Sequence, residues 1–341
     1  MTWKLKTTAI AAVALIGTTG TAFAQAKTLD AVKARGSVNC GVGPGTPGFS
    51  APDDKGNWTG IDVDFCRALA AALFNDPKKV TFKALTAKER FTALQSGEVD
   101  LLSRTTTWTM SRDSSMGLTF AGVTFYDGQG FMVNKKLNVK SAKQLNGASV
   151  CVQTGTTTEL NLADYFRANK MTYKPVVFEK ADELNSAYEA GRCDIYTTDA
   201  SGLYAQRIKF KAPGDHIILP EIISKEPLGP VVRQGDSQWF TVVKWVYFAL
   251  LNAEELGVNS KNVAEQVKSA NPEIKRLLGT EGEFGKGIGL ENDWVVRIVK
   301  GVGNYAEMYE RNVGPNSPLK IERGVNKLWN QGGLQYAPPI R

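Results

Sequence analysis

The chain has 341 residues, 43% of them apolar and 22% charged, with a formal charge of +7 and four cysteines. This composition excludes a disordered, collagenous or membrane-embedded protein and suits two globular lobes of ordinary size. The Lys and Arg residues are scattered, without a dense run or a recognition motif, so the positive balance reads as a solvated surface that draws in acidic ligands rather than as a nucleic-acid footprint.

The first segment has the marks of an address rather than of structure. Lys4 and Lys6 give a basic start, an apolar stretch follows to Gly17, and Ala22-Phe23-Ala24 is a small-x-small cleavage pattern. Residues 1–24 read as a secretory signal peptide cut after Ala24. The apolar part is too short to span a bilayer, and no cysteine near the cut offers a lipid anchor. The most apolar later stretch, Trp245 to Leu251, belongs to an amphipathic helix.

Strands and helices then alternate. Ser37 to Val42 reads as a strand. Ile61, Phe65, Leu69 and Leu73, each four apart, line one face of a helix to Phe74. Val80 to Leu85 is a strand, Thr86 and Glu89 form a capping box for a helix to Gln95, and Val99 to Ser103 is a buried strand. This order implies a parallel sheet flanked by helices. The cycle restarts with a strand at Ala148 to Gln153, a second box at Thr156 and Glu159 opening a helix to Asn169, a strand at Pro175 to Phe178, a helix at Ala181 to Ala190, a strand at Cys193 to Thr197, and a helix from Ala200 to Gln206. Two α/β lobes follow: residues 25–127, then 128–226, then a return to the first lobe over 227–341. The crossings are the Gly- and aromatic-rich Phe120 to Val133 and the short Lys225 to Pro230, suited to hinge strands. Helices are expected at Gln238–Glu255, Lys261–Ser269 and Glu291–Glu310, with a Pro/Gly-interrupted tail packed on one lobe.

Exported proteins tend to oxidise their thiols. The cysteine spacings match no zinc pattern. Cys40 and Cys66 fall in one lobe and Cys151 and Cys193 in the other, so disulfides Cys40–Cys66 and Cys151–Cys193 are predicted, the alternative being four buried free thiols.

The residues suited to chemistry gather where strands run into helices. Arg112 follows the threonine-rich loop Thr105, Thr106, Thr107, Trp108, Thr109 at the carboxyl end of a strand, where open α/β sheets place ligands. A planar guanidinium grips a carboxylate bidentately, and helix-start amides and hydroxyls take the remaining lone pairs. Arg112 in the first turn of a helix opposes the helix dipole, which favours a binding role. Thr157 would offer an amide and a hydroxyl to the same anion; for Thr156 capping and binding are equally good readings. Asp199 suits an ammonium partner, or else caps the helix from Ala200. Gly43 to Gly48 matches G-x-G-x-x-G by count, but two prolines and the absence of a following helix exclude a dinucleotide site; a glycine-lined pocket wall is the expected role. His216, the single histidine, reads as an exposed loop residue, and no metal cluster or nucleophile elbow accompanies it. No cofactor is expected.

Five segments together resemble the family 3 periplasmic solute-binding proteins for polar amino acids, nearest to its general L-amino-acid type: Gly60-Ile-Asp-Val-Asp64, Leu94 to Asp100, the loop ending at Arg112, Val152 to Thr157, and Ala190 to Asp194 leading to Asp199. The resemblance runs from about residue 28 to 270. It implies a two-lobe Venus-flytrap fold, each lobe a mixed sheet flanked by helices, closing on one free L-amino acid in the periplasm. It further implies a monomer that delivers its ligand to the membrane permease of an ABC importer. Carried over, Arg112 holds the α-carboxylate with Thr107 and Thr157, while Thr105 and Asp199 take the α-ammonium. Arg90, with Arg104 as second candidate, meets a side-chain carboxylate. Thr46 stands where many relatives stack an aromatic, which implies a roomier pocket favouring polar or acidic ligands, with Phe49 and Trp108 as apolar contacts. The other class open to this architecture is a periplasmic enzyme, a dehydratase or lytic glycosidase. It would need a general acid in the cleft, and the available Glu89 and Glu159 are already explained as caps.

Overall fold

The computed structural model describes residues 1–2 and 27–341; residues 3–26, and with them the signal-peptide reading, lie outside the described residues. Among the described residues fourteen strands follow in chain order: β1 Val38–Val42, β2 Ala51–Pro52, β3 Trp58–Thr59, β4 Val80–Ala84, β5 Leu101–Leu102, β6 Leu118–Phe120, β7 Phe125–Asp127, β8 Gln129–Asn134, β9 Ser149–Gln153, β10 Lys174–Phe178, β11 Ile195–Asp199, β12 His216–Ile218, β13 Glu226–Leu228 and β14 Val231–Arg233.

Two five-stranded sheets repeat one plan. The first has the order β4-β1-β5-β14-β6, the second β10-β9-β11-β8-β12. In each, three parallel strands meet an antiparallel fourth, β14 or β8. Those two fourth strands are the ones that the chain enters straight from a crossing: β7 runs into β8, and β13 into β14. The crossings themselves pair antiparallel, Glu226 opposite Asp127 and Leu228 opposite Phe125. A short two-stranded ribbon therefore joins the lobes.

The helix Ile61–Phe74 forms as its four-residue apolar spacing predicts, and it ends on Asn75 in the left-handed region. It lies between the first sheet and a second helical layer, so nearly all of it is buried, Val63, Cys66 and Ala68 as fully as Leu69. Its entry needs Gly60, at φ 128, where a Cβ would stand 2.1 Å from the Phe49 carbonyl oxygen. Around it the large core of the first lobe takes in Ser237–Glu255, Trp294–Val302 and Tyr305–Asn312. The second lobe has two smaller cores, one centred on Phe131 and Phe166, the other on Leu184 and Tyr196. Each lobe holds one disulfide, Cys40–Cys66 and Cys151–Cys193, and no free cysteine remains among the described residues. Among the described residues no helix is long and apolar enough to cross a membrane.

Several predicted elements differ in extent. The long helix expected over Glu291–Glu310 is two, broken at Gly303 (φ 93), and the second restarts on a capping box between Asn304 and Glu307. Lys261–Ser269 contracts to Val263–Gln266, because Asn271 and Pro272 open a separate helix. Val99–Ser103 pairs only through Leu101–Leu102. The strand expected at Cys193–Thr197 sits two residues later, which makes Asp199 its last residue. Both sides of the Thr86–Glu89 box form, but one turn ahead of the helix Arg90–Gln95. The tail packs on the first lobe and reaches the ribbon. Asn326 accepts from Tyr126 N at 2.7 Å and donates to Tyr126 O at 3.0 Å, and the buried Gln335 donates to Val123 O.

Candidate functional site

The lobes close on a cavity with about 70 Å³ of space for the centres of water molecules, room for several waters or one compact ligand. From the first lobe it is lined by Thr46, Phe49, Arg90, Arg104, Thr105 and Thr107, and from the second by Gln153, Thr156, Thr157, Thr158, Ala181, Tyr196, Thr198, Asp199, Ser201, Gly202 and Gln206. Direct contacts cross between the lobes: the Thr107 and Thr157 hydroxyls lie 3.2 Å apart, and Lys209 Nζ donates to Gly45 O at 3.3 Å.

The cationic wall begins at the loop that leaves β5. Thr105 takes φ 40, a costly conformation for a β-branched residue. It is held by its amide donating to Asp62 Oδ2 at 3.0 Å, while Ser103 donates to Oδ1. Burial pushes the Asp62 carboxyl up to about 7, against the opposing pull of those two donors and of Arg104. Arg104 is fixed by its Nε donating to Leu85 O at 2.9 Å, and burial brings its guanidinium down to about 10. Arg90 is 2% exposed and its Nε has no partner. Burial and the charges of Arg104 and Arg112 press its pKa well down, opposed by Asp199 and Glu226. The guanidiniums of Arg90 and Arg112 lie 4.7 and 5.2 Å from the Phe91 ring, a favourable cation–π setting. An unpaired buried donor beside like charges is a site waiting for an anion.

Acids face this wall from the second lobe and the ribbon. Asp199 does not bond to the first amides of the helix Ala200–Arg207, so capping does not account for it. Burial first, then the charges of Asp127 and Glu226, raise its pKa well above the ordinary range, while Arg90 and Arg112 lower it. Asp127 accepts from Gly128 N at 2.8 Å and from the Ser201 hydroxyl, and burial raises it to about 6. Glu226, 1% exposed on β13, accepts from Thr157, Asn161 and Ser224. Asp127 and Glu226 carry no local motif; the one signal in the sequence is an acid within each short crossing.

The cavity thus gathers Phe49, Arg90, Arg104, Thr105, Thr107, Thr157 and Asp199. Arg112 is not on its lining. It lies 7% exposed at the edge, with Nη1 donating to Thr107 O at 2.9 Å and its charge felt by Asp199. Trp108 is not on the lining either; it is 39% exposed and stacks on Phe120 at 5.4 Å. Of the Gly43–Gly48 loop only Thr46 reaches the cavity, so the glycine-lined wall is not found: Gly48 (φ 82) instead lets the backbone pass close to Asn312 O. His216 is buried, not exposed, because it opens β12 and its Nδ1 meets the Tyr188 hydroxyl at 3.0 Å. Thr156 caps its helix, accepting from Glu159 N, and also lines the cavity. Glu89 and Glu159 bind the amides of Thr86 and Gly155, and neither lines the cavity. No cluster of metal-ligating side chains occurs among the described residues.

Two similar lobes on a ribbon hinge, enclosing a polar cavity with guanidiniums on one side and carboxylates on the other, define a two-lobe binding protein for a small charged solute. The chain belongs to the bacterial extracellular solute-binding proteins, family 3, whose model matches residues 38–276. It is 61% identical over 340 residues, 99% of each chain, to a general L-amino acid-binding periplasmic protein of Rhizobium johnstonii. It is 56% identical over 319 residues, 93% of this chain and 94% of the other, to a glutamate/glutamine/aspartate/asparagine-binding protein of Rhodobacter capsulatus. A solved ABC-transporter periplasmic binding protein from Brucella ovis with glutathione bound superposes with TM-score 0.92 at 63% identity, covering 93% of this chain and all of the other. The fold is the two-lobe periplasmic-binding-protein fold, and membership of a solute-binding family sets aside the dehydratase or glycosidase alternative.

Proposed function

We propose that this protein is the periplasmic receptor of an ABC amino-acid importer, binding one free L-amino acid by lobe closure and presenting it to a membrane permease. The observation that carries this reading is a single cavity in which Arg90 and Arg104 of one lobe oppose Asp199 of the other. A zwitterion neutralises both walls at once, and only the closed form offers both, so ligand shifts the population toward closure. Arg112 and Thr107 hold the α-carboxylate with the Thr157 amide, and Asp199 with Thr105 holds the ammonium. Arg90 and Arg104 are in excess over that need. Their surplus charge favours a ligand with a second carboxylate or a polar side chain, with Phe49 as the apolar contact, and the absence of an aromatic at Thr46 supports breadth. We take the lobes as residues 25–127 with 227–341, and 128–226; the β7–β13 pairing supports pivots at their junctions. The mature protein begins after Ala24, works as a monomer in the periplasm and binds no nucleic acid.

The test is a thermal-shift screen against the common L-amino acids and glutathione. Ligand at 100 times its dissociation constant stabilises by about 2.7 kcal/mol. L-Glutamate, L-aspartate and their amides are expected to shift the transition most; a flat response across all amino acids overturns the reading. Arg112→Ala leaves a desolvated carboxylate without its partner, costing roughly 2–5 kcal/mol. Calorimetry should then detect no amino-acid binding to a protein that still folds.

A further inference from the structure

Glu226 sits at the junction of both lobes and the hinge, and each of its oxygens is engaged. Oε1 accepts from Ser224 Oγ at 2.7 Å and Asn161 Nδ2 at 2.6 Å, and Oε2 accepts from Thr157 Oγ1 at 2.8 Å. The Ser224 hydroxyl itself accepts from Gln129 N, so its proton is free for Glu226. Three donors converge on the two oxygens of one buried side chain, the pattern that a carboxylate accepts. With Glu226 as a carboxylate, which only accepts, the one hydroxyl proton of Thr157 goes to it. The contact between Thr157 and Thr107 must then run from Thr107, because Thr157 has only lone pairs left to offer. The Thr107 loop is tied to the same strand by Trp108 N donating to Pro227 O at 2.8 Å and Gly229 N donating to Thr106 O at 3.0 Å.

We propose that Glu226 is a positioning residue of the cleft, ordering a one-way chain Thr107→Thr157→Glu226 that joins first lobe, second lobe and hinge in the closed form. The chain spends the Thr157 hydroxyl proton inside the protein, so the ligand's carboxylate receives the Thr157 backbone amide and not its hydroxyl. The carboxylate at the end of the chain makes the Thr157 bond charge-assisted, the stronger kind, and polarises the Thr107 bond behind it. The inference rests on the reading that the cleft opens and closes around a ligand, but it does not depend on which one.

The experiment is a double-mutant cycle of Thr107→Val and Glu226→Ala in the mature full-length protein, read by the closed fraction in interlobe single-molecule fluorescence without ligand. Thermal unfolding of every variant is recorded alongside. Thr107 and Glu226 do not touch, so a purely structural role for Glu226 predicts additive effects. The proposal predicts that each substitution lowers the closed fraction about fivefold and that the double variant loses no more than the worse of the two. In a Thr157→Val background the Thr107 effect and its coupling to Glu226 should vanish, leaving for Glu226 only what its bond to Asn161 carries, whereas Thr157→Ser should restore both. If Glu226→Ala fails to fold, Glu226→Gln replaces it: its amide turns an N–H toward Thr157, reverses the chain and should remove the coupling to Thr107. Additive effects, a Thr107 effect or a coupling that persists in Thr157→Val, or no change in closed fraction overturn the proposal. Because no ligand is present, a protein that shows the coupling but binds no amino acid would fail the receptor reading while leaving this one standing.

Discussion

The two lobes share a sheet plan and differ in almost everything else. The first has one large core, with the helix Ile61–Phe74 sandwiched between its sheet and the helices of the returning chain, and a small one around Leu94 and Phe120. The second divides its apolar residues between two small clusters. The first brings three guanidiniums to the cleft, from Arg90, Arg104 and Arg112; the second lobe and the ribbon bring the carboxylates of Asp199, Asp127 and Glu226. Neither set is stable in its own company, since the arginines depress one another and the acids raise one another. Closure relieves both at once, and a bound zwitterion completes the pairing. The difference between the lobes is thus what gives the cleft its affinity for a molecule carrying both signs.

The contrast in core size can be tested by removing one disulfide at a time. Cys151 and Cys193 are 42 positions apart in the lobe with the smaller cores. Replacing both by serine should cost about 2–4 kcal/mol and split thermal unfolding into two steps, the second lobe melting first. Replacing Cys40 and Cys66 should lower the transition without splitting it. A single unsplit transition in both variants would mean that the lobes stabilise each other more than their separate cores suggest.

The contrast in charge is sharpened at Asp199. Asp199→Asn keeps the shape but not the charge, and should weaken amino-acid affinity by about 1.5–3 kcal/mol, roughly 10- to 150-fold, by calorimetry. An unchanged affinity would leave the ammonium without its partner on the second lobe.

A smaller effect is expected from pH. Asp62 rises to about 7 when folded, against about 4 unfolded. Between those values the folded state holds a proton that the unfolded state has lost, so stability falls as pH rises from about 4 to 7 and is level above. Asp127, at about 6, acts in the same sense over a narrower window. Asp62→Asn keeps a carbonyl for the Thr105 amide and should flatten part of that decline, narrowing the melting difference between pH 4.5 and pH 7 by about 2–4 °C. The smallest effect is expected at Trp108. It is off the cavity lining, so Trp108→Ala should cost about 0.5–1.5 kcal/mol of stability from the lost stack on Phe120. Its affinity should change less than about twofold.

Local pattern was enough wherever one face or one cap decided the outcome. The spacing of Ile61, Phe65, Leu69 and Leu73 delimits its helix to the residue, and Thr156 caps the helix where the box motif places it. Thr105, Thr107 and Thr157 could be placed near one another because a strand's carboxyl end, a threonine-rich loop and a capped helix are all sequence features, whereas Arg90 and Arg104 were reached only through the family resemblance. What escaped depends on distant partners. β8, Gln129–Asn134, opens on Gln-Gly and reads as part of a crossing; it becomes a strand because β11 and β12 flank it. His216 is buried by Phe210 and by Tyr188, the latter 28 residues earlier in the chain. Glu226, between a lysine and a proline, looks like a turn residue until Thr157 and Asn161 are brought to it.

The clasp of Asn326 on Tyr126 bears on the mechanics of the hinge. One strand of the connecting ribbon has both polar groups of a single peptide-bearing residue occupied from outside, by a side chain about two hundred positions downstream. A ribbon anchored along one border cannot change its twist freely: any rotation there must carry Asn326 along or rupture two hydrogen bonds together. The extreme carboxyl-terminal segment is thereby part of the pivot's stiffness, and the amplitude of opening depends on residues that never approach the solute.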